Sequence, residues 1–320
     1  MIKNRFIAVV LIFCGLVFGM KAEDCKKTML REGLPAKVTI KVEDPYGKPV
    51  PDASVMFCFL VYNVETPNTV IVKTDANGMA SGEANANQEI VVHVTKDGWY
   101  RPHCRYKLWG AGKDYQSGRW EPWNPILNIT LYPQINPRQN PKKNTRSYER
   151  LSPNEVYGFD LLKKSIVLPG EKDKTADFSF IGSGCKIAIM GKHPQDTKFF
   201  ATNNLEVVFS NKGNGIIRRN KNTDSEFSFT YLAPETGYKQ RLHFYEDYSP
   251  QRQDGKGEPF LADNEYLIFH ISRMNNETGE TTWYYGIITE ICGYSDLNGE
   301  RTFNISYYLN QDPGDRNIEY

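Results

Sequence analysis

Apolar side chains in this chain recur at every second residue over short stretches, and that period dictates the kind of fold available. In AKVTIKVED, residues 36–44, Val38, Ile40 and Val42 alternate with polar neighbours, and Ile90, Val92 and Val94 do the same in EIVVHVTKDGWY. A two-residue period sends successive side chains to opposite faces of a strand, so one face is buried and the other is wet. Turn-forming residues punctuate these runs: Pro45, Gly47, Pro49 and Pro51, then Asp75-Ala76-Asn77-Gly78. No stretch of helical period and useful length competes. NEVYGFDLLKK at 154–164 offers at most one helical turn. The expected fold class is therefore all-β, and an aromatic share of 13% fits short strands joined by tight turns. A chain of 320 residues exceeds one ordinary core and predicts two domains.

In the first half the expected strands are 36–44, 54–64 (SVMFCFLVYNV), 68–74 (NTVIVKT), 79–85 (MASGEAN), 89–100 and NPILNITLYP at 124–133. The Asn77-Gly78 turn predicts that 68–74 and 79–85 form a hairpin, because such turns require positive φ. The strings VTIKVEDPYGKPVPDASV, KTDANGMASGEA and IVVHVTKDGW resemble the carboxypeptidase regulatory-like module, over about residues 36–100 and 126–132. The resemblance implies a seven-stranded, Ig-like (transthyretin-like) β-sandwich over 23–132. It implies no activity, since such modules serve as spacers or accessory domains and fold alone does not specify function.

Residues 133–154 carry Pro133, Pro137, Pro141 and Pro153 among Asn and basic residues, and read as a solvated linker. From 155 to 320 the strand pattern resumes at TADFSFIG, CKIAIMG, NLEVVFS, EFSFTYLA, YKQRLHFYE, EYLIFHISRM, TTWYYGIITEICGY and RTFNISYYLN. This spacing predicts a C-terminal antiparallel β-sandwich. The strings RWEPWNP, YGFDLLKKSIVLPGEKDKTADFSF, LAPETGY and ISYYLNQDPGDRNIEY also make the whole chain resemble an uncharacterised family of exported bacterial proteins, from which no activity carries over.

Compartment is read from the N-terminus. Lys3 and Arg5 precede an uninterrupted apolar run, Phe6 to Met20, and polar sequence follows. That is the layout of a secretory signal peptide over 1–22; a spanning helix needs about 20 apolar residues. Retention of the run as an anchor is the alternative. No later segment is apolar for long enough to span a membrane. Periplasmic or extracellular residence makes disulfides the default for cysteines. Cys58–Cys104 and Cys185–Cys292 are the expected pairs, leaving Cys25 odd. Without Lys3, Arg5 and Lys21 the chain has 36 bases against 38 acids, a net −2. Nothing in that balance attracts nucleic acid.

No catalytic set is legible. Tyr100-Arg101-Pro102-His103 echoes the Arg-Pro-x-His-x-His run of intradiol dioxygenases, but only His103 aligns with an iron ligand, and a non-haem site needs several. No two histidines lie close enough for short-range ligation. Asp75-Ala-Asn77-Gly78 and Asp296-Leu-Asn298-Gly299 hold oxygens calcium could use, yet turn chemistry explains both. No cofactor or metal is expected. What stands out is tryptophan: Trp99, Trp109, Trp120 and Trp123, four of five, fall within one 25-residue stretch. The segment 99–125 reads as an elaborated loop, where binding residues concentrate. Its rings either pack the loop onto its own sandwich, with Trp123 among the deepest, or form a platform for a polysaccharide or another envelope protein. The expected function is a non-catalytic, exported accessory, binding or structural protein. Carbohydrate binding through the Trp-rich loop is the first alternative, and a glycan-active hydrolase in the C-terminal domain the second.

Overall fold

The computed structural model describes residues 22–62, 64–110, 112–115, 117–139, 141–152, 155–171, 174–189, 198–247, 260–274, 278–295 and 301–320. The apolar run at 6–20 and the Asp296–Gly299 turn lie outside them. The chain forms two units, the first comprising the described residues up to Gln134 together with Asp224–Glu226, the second Ile135–Thr223 and Phe227–Tyr320. Both are built from β-sheet, as the alternation requires.

The first unit opens with a helix the sequence did not advertise, α1 (Ala22–Glu32). Among its described side chains only Met29 is driven fully into the core. Gly33 ends the helix at φ +72°, with its N–H on the Met29 carbonyl. A Cβ there would lie 2.8 Å from the backbone of Ala86, so glycine is required both by conformation and by contact. Seven strands follow in two sheets. Strands β1 (Leu34–Glu43), β4 (Met79–Ala86) and β7 (Ile126–Thr130) form one, ordered β4-β1-β7 with β1 and β7 parallel. Strands β2 (Ser54–Phe59), β3 (Asn68–Lys73), β5 (Glu89–Thr95) and β6 (Cys104–Lys107) form the other, ordered β3-β2-β5-β6. Val38, Ile40, Val42, Phe57, Ile90, Val92 and Val94 fill the space between, as the period-2 reading anticipated.

The expected hairpin of 68–85 is not formed. The turn is present: one Asp75 carboxylate oxygen accepts from Asn77 N and Met79 N, and Gly78 has φ +74°. Its two arms enter different sheets, β3 pairing with β2 and β4 with β1. The cause is at Gly78, whose carbonyl accepts from Val42 N so tightly that a Cβ would strike the Val42 carbonyl. The turn is thus docked on β1 and carries the chain across the sandwich.

The second unit stacks two five-stranded sheets. One is ordered β10-β9-β11-β12-β14, from β9 (Tyr157–Asp160), β10 (Ser165–Val167), β11 (Phe178–Ile189), β12 (Lys198–Phe209) and β14 (Arg241–Asp247). The other is ordered β13-β15-β16-β17-β8, from β8 (Asn144–Leu151), β13 (Gly215–Asn220), β15 (Glu265–Met274), β16 (Thr281–Ser295) and β17 (Arg301–Leu309). An aromatic core lies between them, with Phe180 stacked on Phe303 at 3.9 Å and Phe159 on Phe178 at 5.5 Å. Three expectations are corrected. Residues 144–151 are no linker but the edge strand β8, paired with β17 and burying chiefly Asn144. The supposed helical turn at 154–164 is the β9–β10 hairpin, held because the Asp160 carboxylate accepts from Lys163 N. EFSFTYLA is not a strand; it lies over the outer face of the second sheet with Phe229 against Tyr266.

Nor are the expected crosslinks present: Cys58, Cys104 and Cys292 are free thiols. Register explains the first pair. Cys58 sits opposite Val91 of β5, whereas Cys104 sits opposite the next residue, Val92. The two sulfurs therefore leave opposite faces of one sheet with a strand between them, a separation of about 10 Å, beyond the ~7 Å Cα limit for a disulfide. Cys292 lies on β16 beside Asn304, and the side chains of Cys25 and Cys185 are outside the description.

Candidate functional site

The tryptophan-rich segment begins where β5 ends and is pinned to the first sandwich at several points. Its first part is the strand β6. Leu108 N then donates to the Gln88 carbonyl, and Asp114 and Glu121 exchange both backbone hydrogen bonds, at 3.2 and 2.7 Å, closing a small loop. Trp120 N donates to Pro35 O at 2.9 Å, and its indole N–H donates to Ala86 O at 2.7 Å. The Trp109 indole N–H donates to the next carbonyl, that of Asn87. Trp109, Tyr115 and Trp120 meet edge to face, with centroids 5.1–5.9 Å apart and planes 60–75° apart. Each positive ring edge meets a negative ring face, the preferred aromatic arrangement.

Asn87 is the fastening beneath them. It is buried, its side-chain N–H₂ donates to the helix carbonyl of Met29 at 3.0 Å, and its side-chain oxygen accepts from Tyr62 N at 2.7 Å. One residue thus ties together the end of α1, the chain after β2 and the aromatic loop. Around the rim, Lys113 lies 3.5 Å from the centre of the Tyr106 ring and Arg119 lies 4.8 Å from that of Trp123. Arg119 also pairs with Glu121 at 2.7 Å, and that hydrogen bond first, with the Trp123 N–H helping, holds the Glu121 carboxyl below its ordinary range.

The four expected ligand residues are thereby divided. Trp120 is the deepest, 3% exposed, and not Trp123, because only Trp120 inserts where β1 and β4 offer free carbonyls. Trp109 is 47% exposed, and Trp99 and Trp123 are half-buried. Rings crossed at 75° make no flat platform. Trp99 stands apart on the turn after β5, beside a hollow of about 340 Å³ lined by Lys96, Asp97, Trp99, Arg101, Gln134 and Glu226, all of the first unit. Sequence reasoning missed this hollow, since it gathers residues from 95–101, 134 and 226.

In the second unit the conspicuous polar groups serve the fold. Asp160 and Asp177, both buried, share the Arg273 guanidinium at 2.7 and 2.6 Å. Desolvation raises the Asp177 carboxyl above its ordinary value despite the hydrogen bonds from Arg273 that oppose it. His270 is stacked between Trp283 and Tyr285 at 4.5 and 4.7 Å, and burial pushes its imidazole below the usual range. His243 meets Asn204 at 3.2 Å on an open sheet face. His103 has no metal-ligating neighbours of the kind an iron site needs: among the described residues no three His, Cys, Asp or Glu side chains converge as a metal site would require.

No family model matches the sequence, and no curated protein matches it. Among solved structures, BcpA, the major pilin subunit of Bacillus cereus, is 9% identical, with 87% of this chain and 96% of that chain covered and a TM-score of 0.23. The full-length major pilin SpaD from Corynebacterium diphtheriae is 11% identical over 89% of this chain and 83% of its own, with a TM-score of 0.23. An intradiol ring-cleavage dioxygenase from Tetranychus urticae is 15% identical over 34% of this chain and 84% of its own, with a TM-score of 0.24. Similarities at this level place the chain in neither group.

Proposed function

We propose that this chain is an exported, non-catalytic β-sandwich protein with a structural or accessory binding role at the bacterial cell envelope. The signal-like N-terminus and the resemblance of residues 36–100 and 126–132 to the carboxypeptidase regulatory-like module support export and an accessory role. The observation that carries the reading is the Trp109–Tyr115–Trp120 cluster: two indole N–H groups bond to successive carbonyls, Ala86 and Asn87, so the most prominent residues of the chain brace its scaffold. The same pattern holds for Asp160, Asp177 and Arg273, which bond to one another and to backbone.

Chemical denaturation of the secreted protein tests this. Trp120→Ala is expected to destabilise the first unit by about 3–5 kcal/mol, the usual cost of emptying a large aromatic site in a core. Recovery of full stability in that variant, or of a soluble cytosolic product retaining Met1, would contradict the proposal.

A further inference from the structure

The hollow beside Trp99 differs from the aromatic cluster in what its side chains are left to do. Its rim is held chiefly by backbone hydrogen bonds. Trp99 N closes a turn on Lys96 O at 3.1 Å with Gly98 at φ +77°, Tyr100 N donates to Tyr132 O at 2.8 Å, and Gln134 N donates to Gly98 O at 2.7 Å. On the other side Glu226 N donates to Arg101 O at 2.8 Å, and Ser225 Oγ donates to the same carbonyl at 3.3 Å. Backbone hydrogen bonds thus order the short segments around the opening.

Four of the side chains that face the opening remain available. The indole N–H groups of Trp109 and Trp120 are taken by carbonyls, whereas the Trp99 indole has no hydrogen-bond partner among the described residues. The Arg101 guanidinium, the Asp97 carboxylate and the Gln134 amide likewise make no hydrogen bond or ion pair with another described residue. Lys96 is anchored on the Pro51 carbonyl. Trp99 packs partly against the core, which fixes its ring at the edge of the opening.

We infer that this hollow binds an uncharged, polyhydroxylated ligand, one or two sugar rings of a neutral glycan. Its volume, about 340 Å³, lies in the range of small-molecule sites, roughly 300–1,000 Å³. Two cations, Lys96 and Arg101, are balanced by two carboxylates, Asp97 and Glu226, so neither an anion nor a cation is favoured by net field. Arg101 and the Trp99 indole only donate, Asp97 only accepts, and Gln134 does both. Sugar hydroxyls also do both, and the apolar face of a sugar ring matches a fixed indole. The inference does not depend on where the protein resides.

Affinity electrophoresis of the full chain tests it, in gels carrying a soluble β-glucan, a xylan or a mannan, with polygalacturonate in parallel. At least one neutral polysaccharide is expected to retard the protein. Arg101→Ala and Gln134→Ala should each weaken that retardation about tenfold, the scale expected for loss of a hydrogen bond involving a charged or buried polar partner. Both should melt like the parent, and Tyr46→Ala, at a 93% exposed residue away from the hollow, should bind normally. Three results would overturn the inference: no retardation by any neutral polysaccharide, retardation by polygalacturonate alone that Arg101→Ala abolishes, or undiminished neutral binding in both variants.

Discussion

Asp177 is a carboxylate withdrawn almost wholly from water. It and Asp160 are buried together, and among the described residues Arg273 is the cation they share. Desolvation lifts its pKa above the ordinary 3.8, so the folded state holds the proton more tightly than the unfolded chain does. Between 3.8 and the raised value, folding takes up a proton, and this group's contribution to stability grows as pH falls and shrinks as pH rises. Asp177→Asn removes the titration. The stability difference between wild type and Asp177→Asn in urea titrations should therefore shift toward the wild type on acidification through that window; a difference independent of pH would refute the assignment. Arg273→Met, by contrast, strands two carboxylates and should cost about 3–5 kcal/mol. None of this was legible beforehand, because Asp160, Asp177 and Arg273 are distant in sequence and no short motif joins them. Val38, Ile40 and Val42 were legible, because a strand's periodicity is local. Asn87 shows the same limit: it falls between the expected strands 79–85 and 89–100, and its role depends on Met29 and Tyr62 arriving from elsewhere.

At the scale of elements, strands rich in apolar residues were easy to place. EYLIFHISRM is β15 to the residue, and every position from Tyr266 to Ser272 is buried. The strand β8 was missed because it is an edge. It carries Arg146, Glu149 and Arg150, charges of the kind that keep an edge from pairing with other chains, and these same residues made it read as a tether. A related device guards β11. That strand pairs with β9 only over Phe178–Phe180, and among the described residues no strand continues along that side of it, the other side being paired with β12. Arg301 fills the gap, donating to Gly182 O at 2.7 Å and Gly184 O at 3.1 Å from where a neighbouring strand's N–H groups would come. Arg301→Ala should cost about 2–3 kcal/mol, from the loss of two hydrogen bonds to a charged donor. It should also produce concentration-dependent oligomers visible by light scattering, since it uncovers a strand edge. A variant that stays monomeric and as stable as the parent would show that the edge needs no guard.

For the whole molecule, two sandwiches were anticipated from length and pattern, and two units with separate cores are what the chain forms. The division was misplaced because 133–154 contributes a strand to the second unit. The expected Cys58–Cys104 crosslink failed for a physical reason: spacing along a chain does not reveal which face of a sheet a cysteine occupies. Unfolding in denaturant without reductant, followed by alkylation and peptide mapping, should find Cys58, Cys104 and Cys292 all modified. A Cys58–Cys104 peptide pair would contradict the β2-β5-β6 register. One further property of the molecule follows from Asp224–Glu226. These residues pair with Arg101–His103 and belong to the first unit, yet 89 positions separate Gln134 from Asp224. A ribosome adding roughly 5–20 residues per second needs several seconds to cover that distance. The amino-terminal sandwich therefore waits, with the Arg101 carbonyl and the His103 amide unmatched, for a piece of itself that is translated only after much of the other sandwich has been made.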